Sequence, residues 1–88
     1  MAWTVDFDPR AFKELEDLDR TVQKRIVTFI RERVLTATSP RDIGKPLTGD
    51  KAGVWRYRVG DYRLICRLFD DAKQIRVLRI SHRKDVYR

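Results

Sequence analysis

The chain has 88 residues, 42% apolar and 38% charged, with a net charge of +7 and a pI near 10.1. That length favours a single domain, residues 1–88, with a limited core, and the composition excludes a disordered tail. No apolar run approaches a membrane span, and a lone cysteine, Cys66, excludes an internal disulfide and a cysteine-based metal site. The charge is segregated: residues 1–50 carry nine Lys/Arg and nine Asp/Glu, whereas residues 51–88 carry eleven and four. Such an imbalance favours a polyanionic partner, either nucleic acid or an acidic protein segment, because solubility alone does not require the excess to sit in one half. The opening Met1-Ala-Trp-Thr-Val-Asp-Phe7 lacks the basic segment and apolar run of a signal peptide, so the expected location is cytoplasmic.

Ala2 to Phe7 alternates, with Trp3, Val5 and Phe7 on one side, and reads as a short strand. Asp8-Pro9 marks a helix start: Asp accepts from free amides, and Pro suits the first helical position. Ala11, Leu15 and Leu18 then form an apolar stripe with Phe12 beside them. Asp19 is the expected cap of a second helix over about residues 20–36, whose stripe is Val22, Ile26, Phe29, Ile30, Arg33 and Val34. The short connection predicts an antiparallel helical hairpin. Charged residues such as Glu14 read as solvated helix faces. Thr36 to Pro40 stops the helix. Residues 40–53 read as a Pro- and Gly-rich loop, with Ile43 and Leu47 as anchors and Lys45 and Lys51 as minor binding candidates.

The most informative stretch is Gly53 to Phe69. Gly60-Asp61 between alternating β-formers signals a two-residue hairpin turn, pairing Val59 with Tyr62 and Arg58 with Arg63. Alternation puts Trp55, Tyr57, Val59, Tyr62, Leu64, Cys66 and Leu68 on one face, the core. Arg56, Arg58, Arg63 and Arg67 share the other with Ile65 and Phe69. Gln74 to Ile80 is a further strand whose apolar residues fall on both faces, which suits an interior position. Arg67, Arg76 and Arg79 read as surface or partner contacts. The order is β-α-α-β-β-β, an α+β fold with a mainly antiparallel sheet and a helical hairpin packed on one face. The other face is left as a groove.

Arg56, Arg58 and Arg63 are expected to cluster there, with His82, Arg83 and Tyr87 of the chain end beside them. Guanidinium groups present paired planar donors to phosphate, and a tyrosine can stack on an unpaired base, so the pattern suits RNA. RNA cleavage without metal needs a proton acceptor for the 2′-OH, cations for the transition state and help for the leaving oxygen. Arginines serve the second need but are poor bases. His82, the only histidine, is the candidate for proton transfer; the plain alternative is a surface bystander. The acidic residues are scattered and one histidine does not make a metal site, so no metal or cofactor is expected.

These segments together (Val5 to Leu15, the K-P-L-T-G of 45–49, the W-R-Y-R-V-G-D-Y-R of 55–63 and the H-R-K-D-V-Y of 82–87) resemble the RelE family of the RelE/ParE toxin superfamily over nearly the whole chain. The resemblance implies the β-α-α-β-β-β RelE-like fold and the toxin half of a type II toxin–antitoxin pair. It implies a ribosome-dependent endoribonuclease that cuts mRNA in the ribosomal A site by metal-free 2′-OH attack. It places Arg56 and Arg58 at basic positions of the second strand, Arg63 at the phosphate-binding arginine, Arg83 at the residue assisting the leaving group and Tyr87 at the base-stacking tyrosine. His82 falls where some relatives carry a catalytic histidine and others a lysine. Well-studied members have lysines at the positions of Arg56 and Arg58, one of them the proposed base, and His82 is the expected replacement here. The implied partners are a RelB-like antitoxin with an acidic or flexible C-terminal segment, the ribosome and mRNA, with promoter DNA reached only through the antitoxin complex. Two alternatives stand beside this one. One is a ParE-like toxin that inhibits DNA gyrase and cuts no RNA; the combination of Arg63, Arg83 and Tyr87 argues against it. The other is an inactive member that only binds an antitoxin.

Overall fold

The computed structural model describes residues 2–47 and 53–83. Strand β1 (Thr4–Phe7) leads into helix α1 (Pro9–Glu16), then α2 (Arg20–Phe29), β2 (Lys45–Pro46), β3 (Val54–Val59), β4 (Tyr62–Phe69) and β5 (Gln74–His82). The five strands form one sheet in the order β1-β5-β4-β3-β2. Only β1 and β5 run parallel; every other neighbouring pair is antiparallel. The expected α+β class is observed, but the sheet has one strand more than the sequence suggested. The extra strand is β2, within the segment read as a loop. Its two residues form the sheet edge, too short for a periodicity signal.

The first helix starts as expected, with Pro9 in its first turn and the Asp8 carboxylate accepting from the Arg10 amide at 3.1 Å. Asp19 occupies the cap position of α2 but its side chain makes no capping bond. Gln23 reaches back instead, donating to the carbonyls of Glu16 and Leu18 at 3.1 and 2.9 Å and satisfying the end of α1. After Phe29 the helix widens into a π-turn, Ile30–Val34, closed by the Leu35 amide on the Ile30 carbonyl. Ala11, Ile26, Ile30 and Val34 are buried against Tyr57, Val59, Leu64, Cys66, Leu68, Ile75, Val77 and Ile80. This is the expected core stripe, except that Phe12 is 51% exposed and Arg33, also placed in the stripe, is exposed.

The β3–β4 register is the expected one, with Val59 opposite Tyr62, Arg58 opposite Arg63, and Gly60 at φ +60° in the turn. Strand β5 differs from simple alternation. Ile65 pairs with Arg79 and Cys66 with Val77, so Leu78 has no partner on β4 and forms a bulge. The bulge shifts the parity by one. Ile75 and Val77 before it and Ile80 after it therefore all face the helices, opposite Leu68, Cys66 and Leu64. The apolar residues that the sequence put on both faces of β5 thus belong mainly to one.

Beyond Val77, β5 has no β1 partner, because β1 ends at Phe7. Helix α1 covers that edge. The Glu14 carboxylate accepts from the Ile80 amide at 2.9 Å and from Arg79 Nε at 3.2 Å. Glu14 is therefore a tertiary contact, not the solvated helix face its position suggested. Arg76 likewise lies 3.4 Å from Asp6 across the β1–β5 pair. No helix of the described residues is long and apolar enough to cross a membrane.

Candidate functional site

The face of the sheet away from the helices carries a cleft of about 280 Å³ lined by Gly44, Lys45, Arg56, Tyr57, Arg58 and Arg63. Its size is near the lower end of small-ligand sites, roughly 300 Å³ upward. The register explains the clustering. Lys45 is opposite Arg56, and Arg58 is opposite Arg63. Cross-strand partners share a face, and so do residues two apart on one strand, so four cations converge. No acidic side chain among the described residues lines this cleft. Like charges directly opposite are destabilising in a sheet, and a bound anion removes that repulsion.

A second hollow, about 70 Å³, adjoins it through Arg58 and Arg63 and is completed by Gly60, Asp61, Tyr62 and Arg83. Arg83 is brought there by the backbone: its amide donates to the Asp61 carbonyl at 2.6 Å, tying the end of β5 to the β3–β4 turn. The Arg58 Nε donates to the Gly60 carbonyl at 3.2 Å, which orients that side chain toward the same turn.

The wall carrying Lys45 is positioned by side chains that point the other way. Tyr57 is buried and donates its hydroxyl to the Pro40 carbonyl at 2.7 Å, and Trp55 Nε1 donates to the Ile43 carbonyl at 2.7 Å. Arg41 forms a two-pronged bond to Asp70 at 2.6 and 3.0 Å and lies over the Trp55 ring. Gly44 lies at φ +75°, where a Cβ would collide with the Arg56 carbonyl oxygen and come within 2.8 Å of Tyr57 Cδ1. Only glycine lets this turn press onto β3 and form the floor of the cleft.

The structure therefore brings Lys45, Arg56, Arg58, Arg63 and Arg83 together. Neither lining includes His82. His82 remains in β5, opposite Tyr62, and their rings meet edge-to-face with centroids 5.0 Å apart. Tyr62 shares the helix-side face with Val59 and Leu64, whereas Arg63, opposite Ser81, faces the cleft. The sequence expected His82 to leave the strand; the bulge at Leu78 instead keeps it in register and sets its direction. Arg67 lies on the cleft face but pairs with Val54 at the far end of the hairpin. Lys51 and Tyr87 lie outside the described residues. Sequence reasoning missed Gly44, Arg41 and the anchoring hydrogen bonds of Tyr57 and Trp55. The available signal was chemical: a buried tyrosine or tryptophan needs a partner for its polar tip. Cys66 is buried, as alternation implied, and burial pushes its thiol up to about 12.

Chemically, the three guanidinium groups offer paired planar donors and Lys45 a point charge, a donor set that suits anions such as phosphate. Comparison with known proteins bears on the fold and the family. The profile of a family described as "ParE toxin of type II toxin-antitoxin system, parDE" matches residues 5–87. Toxin RelG of Mycobacterium tuberculosis is 34% identical over 88 residues, covering 100% of this chain and 99% of that protein. Toxin RelE of the same organism is 30% identical over 78 residues, covering 89% and 78%. A chain in the crystal structure of the M. tuberculosis RelBE2 toxin–antitoxin complex superimposes with a TM-score of 0.83 at 31% identity, covering 94% of this chain and 100% of that one. With the fold, the register of the hairpin and these matches in agreement, the chain belongs to the RelE/ParE superfamily of type II toxin–antitoxin toxins.

Proposed function

We propose that this toxin is a metal-independent endoribonuclease that cuts mRNA in the ribosomal A site and thereby blocks translation. The observation that supports the reading is the acid-free cleft of Lys45, Arg56, Arg58 and Arg63, with Arg83 in the adjoining hollow. The 2′-OH of one nucleotide attacks the adjacent phosphorus, a P–O2′ bond forms and the P–O5′ bond breaks. The products are a 2′,3′-cyclic phosphate and a 5′-OH end. Negative charge builds on the phosphoryl oxygens in the transition state, and Arg56, Arg58 and Arg63 stabilise it. Arg83 stabilises the departing 5′ oxygen, which takes up a proton from water to become the 5′-OH. Tyr87 stacks on a base, while Lys45 and Lys51 hold the flanking backbone.

The 2′-OH proton needs an acceptor, and guanidinium groups do not serve. The His82 imidazole has the right chemistry, but its ring packs edge-to-face on Tyr62 and it lines neither hollow. His82→Ala separates two forms of the reading. A pH-dependent loss of cleavage makes His82 the acceptor. An unchanged rate and pH profile leave the arginines acting with an acceptor from the ribosome or the RNA.

An antitoxin partner accords with the relative solved in a toxin–antitoxin complex. The reading gives it an acidic or flexible segment that covers the basic cleft, and places promoter DNA in contact with the complex through the antitoxin alone. Cytoplasmic location follows from a ribosomal target. The second reading, gyrase inhibition, has its own support in the matching family's description as a ParE toxin. Primer extension on mRNA with programmed ribosomes separates the two. Codon-phased cuts support the nuclease. Intact mRNA with gyrase-dependent DNA breakage supports the inhibitor.

A further inference from the structure

The end of β5 carries Arg83 into the site, yet among the described residues no strand pairs with its outer edge there, since β1 pairs with β5 only as far as Val77. The bulge at Leu78 falls immediately after that point. A bulged strand with one unpaired edge is free to twist, and twist at Ile80 is carried along the backbone to Arg83. One side chain takes the place of the missing strand. Glu14 of α1 accepts from the Ile80 amide at 2.9 Å and from Arg79 Nε at 3.2 and 3.4 Å, and is itself half-buried. Ala11, one turn earlier and fully buried, keeps α1 close to the core; a larger residue there would push the helix outward.

We propose that Glu14 is a positioning residue for Arg83. It replaces the absent strand at Ile80, fixes the twist of β5 after the bulge, and so sets where the Arg83 side chain meets Arg58 and Arg63. The proposal rests on the nuclease reading for its kinetic consequence, but its structural half is independent of that reading. Glu14 touches no substrate and its effect runs through Arg83.

The test uses single-turnover cleavage of mRNA on programmed ribosomes together with amide exchange on the free toxin. Glu14→Ala should lower the maximal rate tenfold or more, since a displacement of about 1 Å costs on the order of a hundredfold, with the half-saturating toxin concentration unchanged. Glu14→Gln keeps an acceptor for the Ile80 amide and should recover most of the rate. In an Arg83→Ala background, Glu14→Ala should have no further effect, while in an Arg67→Ala background its full penalty should persist. In Glu14→Ala, exchange at the Ile80 and Arg83 amides should speed up while the Leu64 amide stays protected. A penalty that survives in the Arg83→Ala background, or unchanged protection at Arg83 in a folded Glu14→Ala protein, overturns the proposal. A wild-type protein that leaves mRNA intact overturns the nuclease reading; the exchange data then decide the structural half alone.

Discussion

Gly44 is the residue on which the cleft most depends without contributing charge to it. Its positive φ and its contact with the β3 backbone leave no place for a Cβ. Gly44→Ala is expected to destabilise the protein by about 1–3 kcal/mol, the usual cost of a strained backbone position, read as a fall in the thermal midpoint. Lys45 should move with the turn, so binding of a short oligonucleotide should weaken as well. Tyr57 makes a complementary point. Tyr57→Phe keeps the packing but leaves the Pro40 carbonyl without its donor, at a cost of about 1 kcal/mol. The opposite side of the same face holds Cys66, whose thiol stays protonated at neutral pH because burial opposes the thiolate. A thiol reagent should modify it in the native protein only as fast as the protein opens, and at once in denaturant.

At the scale of elements, the hairpin was legible because its signals are local. A Gly-Asp pair fixed the turn, and strict alternation fixed which residues face the core. The same logic misread β5, since a bulge costs one residue of parity and leaves no mark in residue type. Leu78 is an ordinary strand residue, and only its mismatch with β4 identifies it. The consequence reached the site: with the bulge, His82 points toward Tyr62, while simple alternation from Ile75 would put it on the cleft side. Strand β2 and the Glu14 contact escaped for a related reason, because both are defined by partners distant in sequence. Inserting one residue between Arg79 and Ile80 would reverse the parity again and send Ile80 to the open face. The expected outcome is loss of the cooperative thermal transition, whereas Leu78→Ala should retain it.

Across the whole molecule, the two layers divide the labour. The helix-side face is apolar and closed, so the buried Tyr57 hydroxyl and Cys66 thiol are held neutral; the open face concentrates charge. Burial raises the Tyr57 hydroxyl above its ordinary value of 10.0 and the Cys66 thiol from 9.0 to about 12, which fixes a sign for pH dependence. For both groups the folded state favours the protonated form. Their contribution is fully present below the ordinary values and declines as pH rises through the folded ones. The thermal midpoint should therefore fall from about pH 9 upward, and Cys66→Ala should flatten part of that fall. At the acid end, the Arg41 hydrogen bond holds the Asp70 carboxyl below its ordinary value. That contribution is present above the ordinary carboxylate value and disappears as pH falls through the lowered one.

The segregated charge that stood out in the second half of the chain resolves at this scale into a wall. Arg56, Arg58 and Arg63 come from residues 51–88, and only Lys45 comes from the neutral half. In the proposed reaction this wall stabilises a phosphate as its charge increases. The most direct measurement is the single-turnover rate of mRNA cleavage on programmed ribosomes for wild type and Arg63→Ala, each at saturating toxin. The expected result is a loss of about 10²–10³ in rate, the usual effect of removing one transition-state donor, with ribosome binding reduced far less. Equal rates for the two proteins, or intact mRNA with both, would contradict it.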